Sequence, residues 1–256
     1  MPATRVSFAG ALGTPLAARL EEPSTGALAA VLFAHCFTCS KDLRAAGWLS
    51  RRLVERGLAC LRFDFTGIGE SEGDFAATNF STNLDDLVAA AGALRERVPR
   101  PLVLVGHSLG GAAVLAAAGR IPDAVLVATL AAPADTGHFR DTLLRNTPGL
   151  AETGAGEISL GGQRFRIGRA LLDDLADHRL GDAVAALGRP LLIFHSPADR
   201  TVGIAQAHRL FDLARHPKSL IALPGADHLL MDDPRDADLV ADVVAAWARR
   251  LVPASP

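Results

Sequence analysis

The feature that most constrains the fold is an alternation of short apolar runs with longer amphipathic stretches along the chain. Runs such as 29–34 (AAVLFA), 58–63 (LACLRF) and 191–195 (LLIFH) predict buried strands. Stretches such as 43–56, which follows the first of these runs, have their apolar residues at helical spacing. Strands that alternate with helices predict an α/β fold, in which a mostly parallel sheet is covered by helices on both faces.

One segment, residues 134–188, interrupts this alternation. It contains a hairpin signal, in which Gly161-Gly162 separates two short β-type runs, and two short helical stretches at 169–175 and 182–187. An insertion of this length between two core strands is usually functional. We therefore expect a single domain over residues 1–256 with a lid inserted at 134–188.

Composition excludes several classes of protein. The net charge is −2 with both signs interspersed, so no basic patch predicts a nucleic-acid partner. No uninterrupted apolar run is long enough to span a membrane, and the first ten residues lack the apolar core of a secretory signal. Three cysteines do not form a disulfide framework in a chain of 256 residues. We expect a soluble, cytoplasmic protein; the sequence does not set its oligomeric state, and a homodimer is one option.

The strongest chemical signal is Gly106-His107-Ser108-Leu109-Gly110, which matches the pattern G-x-S-x-G. The pattern alone is weak, but here an apolar strand leads into it and an alanine-rich helix follows it. A serine in that context lies on a tight turn at the carboxyl edge of the sheet, with its hydroxyl exposed. The alternative is that Ser108 only caps the helix. We predict that Ser108 is a nucleophile.

A serine hydroxyl needs a base, and the base needs an orienting acid. Asp199 follows the strand LLIFHS, and His228 follows the strand SLIAL, so both should reach the same edge of the sheet as Ser108. The chain has eight histidines, and position singles out His228 among them. His195, at a strand end near Asp199, is expected to be structural.

These motifs together resemble the α/β-hydrolase superfamily over essentially the whole chain. The resemblance is carried by GHSLGG, by DFTGIGES after the fourth strand, and by the acid and histidine in SPADRTV and GADHLL. The stretches FAHCFTCSKD and RFDFTGIGESEG are similar to a bacterial branch in which an OsmC-like peroxide-reducing domain often follows the hydrolase. No such domain occurs within these 256 residues.

The stretch Ala34 to Asp42, AHCFTCSKD, allows more than one interpretation. In the family that the chain resembles, the loop after the strand at 29–34 carries an oxyanion-hole donor. The resemblance implies that the Phe37 and Leu109 N–H groups stabilise the negative charge that develops on the substrate carbonyl oxygen. Cys36 stands where most members have glycine. The C-x-x-C spacing of Cys36 and Cys39 also fits a redox pair, since a helix begins nearby. A zinc site is disfavoured because no second ligand pair is present.

The predicted function is that of a serine hydrolase, a carboxylesterase acting on small, short-acyl esters through an acyl-enzyme. No metal or organic cofactor is implied. A dinucleotide site is disfavoured because G-x-G at 67–69 lacks the third glycine of the dinucleotide-binding motif. Acyl transfer by the same triad is an alternative, and a thiol-redox module at the cysteine pair is another. Apolar pocket residues are expected in the inserted segment: His138, Phe139, Leu143 and Phe165.

Overall fold

The computed structural model describes residues 3–37, 39–147, 149–160 and 163–252, and it is built around an eight-stranded sheet. Its strands are Thr4–Ala9 (β1), Pro15–Glu21 (β2), Ala29–Ala34 (β3), Leu58–Phe63 (β4), Leu102–His107 (β5), Ala124–Leu130 (β6), Leu191–His195 (β9) and Lys218–Ala222 (β10). Their spatial order is β1-β2-β4-β3-β5-β6-β9-β10. The first two strands form an antiparallel hairpin and β2 is antiparallel to β4, whereas all other pairs are parallel. The predicted, mostly parallel sheet is confirmed.

Helices cover both faces of this sheet, as the alternation predicted. The helices of the described ranges, including those of the inserted segment, are Arg44–Glu55 (α1), Phe80–Arg97 (α2), Leu109–Ala117 (α3), Thr136–Asn146 (α4), Leu150–Thr153 (α5), Arg169–Asp177 (α6), Leu180–Ala185 (α7), Ala205–Leu213 (α8) and Pro234–Leu251 (α9). Side chains of β3 alternate between two apolar clusters, one shared with α1 and α9 and the other with α2, α3 and α8. A strand buried on both faces is apolar throughout, which explains the continuous run AAVLFA.

Helix α2 begins at Phe80, directly after its cap residue Asn79. Asn79 accepts a hydrogen bond from the Thr82 N–H at 2.9 Å, and Thr82 Oγ1 accepts one from the Asn79 N–H at the same distance. This reciprocal pair is a capping box, which satisfies two N–H groups at the helix start. The polar side chains of Asn79 and Thr82 therefore set the start of the helix, while Phe80 between them is buried in the core.

The inserted segment, residues 134–188, contains α4 to α7 and the strands Ala155–Leu160 (β7) and Gln163–Gly168 (β8). These strands pair as an antiparallel hairpin, and the paired residues nearest the turn are Leu160 and Gln163. The predicted turn at Gly161-Gly162 lies outside the described residues. Helix α4 was not predicted. Its cap is Asp135, whose carboxylate accepts a hydrogen bond from the His138 N–H at 2.8 Å.

The topology brings distant parts of the chain to one edge. Strands β3, β4, β5, β9 and β10 run in the same direction, so the loops that follow them meet at their carboxyl ends. Because β3 is paired with β5, Ala34 lies beside Gly106, and the loop after β3 lies against the turn that holds Ser108. None of the helices in the described ranges is long and apolar enough to cross a membrane.

Candidate active site

Ser108 lies on the sharp turn between β5 and α3. Its φ angle is +52°, in a region that residues with a side chain rarely occupy. A Cβ atom at Gly106 would collide with the backbone of Gly110 and Gly111, and one at Gly110 would collide with the carbonyl oxygens of Ala34 and His35. Glycine at both positions is therefore required for the tight turn and for its close approach to the loop after β3.

His228 connects Ser108 to Asp199 through two hydrogen bonds. Its Nε2 lies 3.1 Å from Ser108 Oγ, and its Nδ1 lies 2.8 Å from Asp199 Oδ2. The other carboxylate oxygen of Asp199 accepts hydrogen bonds from the Thr201 and Val202 N–H groups, at 2.8 and 2.9 Å. The structure thus brings together three residues that are 29 and 91 positions apart in the sequence.

The charge on Asp199 fixes the tautomer of His228. Burial raises the pKa of Asp199, but the hydrogen bonds from His228, Val202 and Thr201 outweigh burial and hold that pKa below its usual value. An ionised carboxylate only accepts hydrogen bonds, so Nδ1 of His228 carries the proton and donates it. Nε2 is then left to accept the hydroxyl proton of Ser108. This arrangement can move a proton from Ser108 to His228.

His107 holds the backbone at His228, a role that the sequence did not indicate. Its Nε2 donates a hydrogen bond to the His228 carbonyl oxygen at 2.7 Å, and the two rings lie 5.2 Å apart. Burial, together with the nearby His228, lowers the pKa of His107 to about 4. His107 is therefore neutral near pH 7. The one sequence feature that could have pointed to this role is the position of His107 between the first glycine and the serine of G-x-S-x-G.

His195 contacts the backbone of the Asp199 loop, as expected of a structural residue. Its side chain is fully buried, and its Nε2 donates a hydrogen bond to the Val202 carbonyl oxygen at 2.6 Å. Burial lowers the pKa of this imidazole. Its ring therefore fastens the Asp199 loop without carrying a charge.

The loop after β3 is fastened to the loop after β4 by a buried ion pair. Lys41 Nζ lies 2.7 Å from Asp64 Oδ2, and the Lys41 N–H donates to Asp64 Oδ1 at 2.6 Å. The side chains of Lys41 and Asp64 are 1% and 0% exposed. Glu70 and Asp42 also contact the ammonium, at 2.6 and 3.1 Å, so each of its three N–H groups has a carboxylate within reach. Burial lowers the pKa of Lys41, but these carboxylates outweigh it and raise that pKa above its ordinary value.

Cys36 and Cys39 form a disulfide in this loop, with their Cα atoms 5.3 Å apart. The Cys39 N–H donates a hydrogen bond to the Cys36 carbonyl oxygen at 3.1 Å, which closes the same turn through the backbone. Phe37 lies inside the turn. Cys60, by contrast, is a buried free thiol, and burial raises its pKa to about 11.

A cavity of about 760 Å³ opens over Ser108 and His228. The disulfide, Phe37 and Leu109 line it on one side, and the inserted segment lines it on the other through residues that include His138, Phe139, Leu143, Asn146, Glu157 and Ile158. Three of the four predicted pocket residues thus line the cavity. Phe165 does not belong to this lining, because its ring packs against Phe75, 5.0 Å between centroids.

Aromatic rings join the inserted segment to the loops of the sheet edge. Phe139 of α4 meets Phe37 edge-to-face, with ring centroids 4.6 Å apart. Phe37 also lies 5.6 Å from Phe75, which in turn contacts Phe165 of β8. Such pairs contribute about 0.5–1.5 kcal/mol each beyond their buried area. The residue predicted to supply an N–H donor is therefore also the point at which the inserted segment contacts the loop after β3.

No part of the described structure groups three or more histidine, cysteine, aspartate or glutamate side chains in a way that could hold a metal ion. Asp64 and Glu70, in the loop after β4, are instead paired with Lys41.

Comparison with known proteins agrees with this fold. The model of the alpha/beta hydrolase family matches residues 31–243, and the chain belongs to that family. The crystal structure of the esterase domain of a Rhodothermus marinus protein is 47% identical, with a TM-score of 0.79, and the match covers 99% of this chain and 100% of that one.

More distant relatives include YfhR, an uncharacterised protein of Salmonella typhimurium that is 33% identical over 197 residues. The match covers 75% of this chain but 62% of YfhR, so the chain spans less than two thirds of that relative. A monoacylglycerol lipase of Mycolicibacterium smegmatis is 24% identical, over 94% of this chain and 95% of its own. This alpha/beta hydrolase therefore has an esterase and a lipase among its relatives.

Proposed function

We propose that the protein is a serine carboxylesterase in which Ser108, His228 and Asp199 form the catalytic triad. The observation that carries the proposal is the continuous hydrogen-bonded chain from Asp199 through His228 to Ser108, ending in a large cavity. The Ser108 side chain makes no cap hydrogen bond to α3, and a serine used only as a helix cap would need no ionised carboxylate behind its histidine partner. Membership of the alpha/beta hydrolase family and the 47% identity to an esterase domain support the same reaction.

In the proposed mechanism, Ser108 Oγ attacks the ester carbonyl carbon while His228 Nε2 takes the hydroxyl proton. Asp199 stabilises the imidazolium that forms and keeps its orientation. His228 then returns the proton to the departing alcohol, which leaves an acyl group on Ser108. A water molecule, deprotonated by His228 in turn, releases the acid and restores the serine.

We propose that the Phe37 and Leu109 N–H groups stabilise the oxyanion. Leu109 is the first residue of α3, where backbone N–H groups have no partner within the helix. The carbonyl oxygens of Ala34 and His35 contact Gly110, so the loop that carries Phe37 lies against the Ser108 turn. Two donors contributed by adjacent loops can point to one carbonyl oxygen, and the loss of one costs about 2.7–4 kcal/mol.

The cavity supports an ester with a sizeable apolar part as substrate. A volume of about 760 Å³ lies in the upper half of the range that binds drug-sized ligands, roughly 300–1,000 Å³. Short acyl chains would fill a small part of it, so the predicted short-acyl preference stays a prediction. In this proposal the inserted segment acts as a lid that sets chain-length preference, because it forms one wall of the cavity.

The test compares Ser108→Ala and His228→Ala with the parent protein on p-nitrophenyl esters of two to twelve carbons. We expect each variant to lose several orders of magnitude in kcat, and the double variant to be little worse than either one, because the residues act as a unit. A fluorophosphonate should label the parent covalently at Ser108 and leave Ser108→Ala unlabelled.

The matched control is Ser7→Ala, an exposed serine on β1, which should keep full activity and labelling. Thermal melting of every variant separates lost chemistry from lost folding. Hydrolysis by Ser108→Ala at a near-parental rate would refute the assignment of the nucleophile. If the parent protein hydrolyses none of these esters but is still labelled normally, the hydrolytic proposal fails and acyl transfer becomes the reaction to test.

A further inference from the structure

The disulfide between Cys36 and Cys39 lies in the wall of the same cavity as Ser108. Both cysteines line that cavity, together with Phe37 and His228. Cys36 is 5% exposed, whereas Cys39 is half-buried, so the sulfur of Cys39 belongs to the more accessible residue. A reagent small enough to enter the cavity therefore meets the disulfide before it reaches the interior of the fold.

The surroundings confine any effect of opening this bond to a few residues. On one side, His35 is buried and its Nδ1 lies 2.7 Å from the Cys36 carbonyl oxygen. On the other side, the ion pair of Lys41 and Asp64 anchors the loop to the core. The turn that the disulfide closes lies between these anchors, and it carries Phe37.

Opening the disulfide would remove the covalent closure of the turn and leave the backbone hydrogen bond from the Cys39 N–H to the Cys36 carbonyl oxygen in place. The turn would then hold the Phe37 backbone less tightly. Its ring would also be less well placed against Phe139, 4.6 Å away in the inserted segment. A displacement of about 1 Å at a catalytic group can cost roughly a hundredfold in rate.

We infer that the Cys36–Cys39 disulfide is a thiol–disulfide exchange site for small thiols, and that its reduction lowers the hydrolytic rate at Ser108. A thiolate attacks the Cys39 sulfur, the sulfur–sulfur bond breaks, and its electron pair leaves on Cys36, which takes a proton from water. A second thiolate then attacks the small-molecule sulfur of the mixed disulfide and releases Cys39. In sum, two thiols become one external disulfide, and the protein gains two thiols. The effect on hydrolysis rests on the proposed function.

Cys60 provides an internal reference for this chemistry. It is 1% exposed, and burial raises the pKa of its thiol to about 11, so few thiolates form near neutral pH. Under native conditions, iodoacetamide should therefore modify no thiol in the oxidised protein and two after treatment with dithiothreitol. Mass spectrometry of the alkylated protein counts these thiols independently of any activity.

The kinetic experiment measures ester hydrolysis by the oxidised and the dithiothreitol-reduced protein, with Cys36→Ser/Cys39→Ser as a permanently open variant. We expect reduction to lower kcat by about tenfold or more with little change in KM, and the open variant to have the reduced rate in both conditions. Reoxidation should restore the parent and leave the variant unchanged. Cys60→Ala is the matched control and should respond to dithiothreitol as the parent does.

The inference would be overturned by two reactive thiols before any reductant is added, or by kcat values within twofold of each other in the two redox states. A kcat that rises on reduction would also overturn it. If neither redox state hydrolyses esters while the thiol count still changes from none to two, the proposed esterase function fails and the exchange site stands. Thermal melting of the open variant shows that its rate is measured on folded protein.

Discussion

The carboxyl edge of the sheet and the inserted segment are held in different ways. At the sheet edge, the side chain of Asp199 is 0% exposed and that of His228 14% exposed. Asp199 accepts hydrogen bonds from its own loop and from His228, and the His228 carbonyl oxygen accepts one from His107. In the inserted segment, Glu157 and Arg164 are 60% and 83% exposed, and their ion pair is 4.0 Å long. Aromatic contacts made by Phe139 and Phe165 join that segment to the loops of the sheet edge.

The difference separates two requirements of the proposed esterase activity. Proton transfer needs positions fixed to a fraction of an ångström, which buried polar networks provide. Selection among acyl groups needs shape and charge at a surface, which a segment packed by a few rings can change without disturbing the core. Substitutions at the sheet edge should therefore affect stability or all substrates together, whereas those in the inserted segment should affect substrates selectively.

The largest expected effect comes from Lys41→Met. The change leaves Asp64 without its ammonium partner in a fully buried position, and breaking a buried pair in this way costs about 3–5 kcal/mol. Urea denaturation should show this loss of unfolding free energy. The control is Arg95→Met, which breaks a surface pair with Asp123 and should cost less than about 1 kcal/mol. Equal losses would mean that the buried pair adds nothing beyond a surface one.

A slightly smaller effect is expected from pH. The pKa of His107 is about 4 in the folded protein, against 6.5 in an unfolded chain, so below pH 6.5 the unfolded state binds the extra proton. Stability is thus fully present above pH 6.5 and is lost as pH falls toward 4, by about 2–3 kcal/mol at pH 4.5 for this one group.

The measurement compares the parent with His107→Gln, which keeps an N–H donor near the His228 carbonyl oxygen but does not titrate. The parent should lose about 2–3 kcal/mol more unfolding free energy than the variant between pH 7 and pH 4.5. His35 and His195, whose pKa values burial also lowers, are present in both proteins and cancel. If the unfolding free energies of the parent and His107→Gln fall in parallel with pH, His107 does not stay neutral in the folded protein.

In the inserted segment, Phe139→Ala should change selectivity. The ring lines the cavity and contacts Phe37, so its removal makes room for longer acyl chains. We expect kcat/KM to shift toward long esters relative to short ones by tenfold or more, since fitting one methylene in an apolar pocket is worth about 1–3 kcal/mol. Leu144→Ala, on the same helix but outside the cavity lining, is the control. An unchanged chain-length profile in Phe139→Ala would place the acyl group elsewhere.

The smallest effect should come from Glu157→Gln. Among the lining residues of the described structure, the charged side chains are the carboxylates of Asp42 and Glu157. Asp42 is paired closely with Arg19 and Lys41, whereas the ion pair of Glu157 with Arg164 is exposed and 4.0 Å long. An acyl group ending in a carboxylate therefore meets repulsion from Glu157. The substitution should raise kcat/KM for p-nitrophenyl hemiadipate by a few-fold, within the roughly 1 kcal/mol of an exposed charge, and leave p-nitrophenyl hexanoate unchanged. Glu152→Gln is the control, and added salt should shrink the gain.

Local sequence patterns predicted much of the framework. The runs 29–34, 58–63 and 191–195 are strands with the predicted bounds, since a strand covered on both faces is apolar at every position. The turn at Ser108 was also predictable, because its glycines reflect steric demands within a few residues. Helix α4 was missed because its apolar residues are few and its cap at Asp135 was not recognised.

What the sequence by itself determined is therefore what depends on neighbouring residues: the strands, most helices, and the place of Ser108 at a strand-to-helix turn. The tertiary structure alone decided which distant groups meet. The hydrogen bond of His107 to His228 spans 121 positions, and the ion pair of Lys41 with Asp64 spans 23. Neither pair has a local signature, because each depends on the strand order that brings the two loops to one edge. The same packing made the C-x-x-C pair a disulfide in the cavity wall, which its spacing had left undecided.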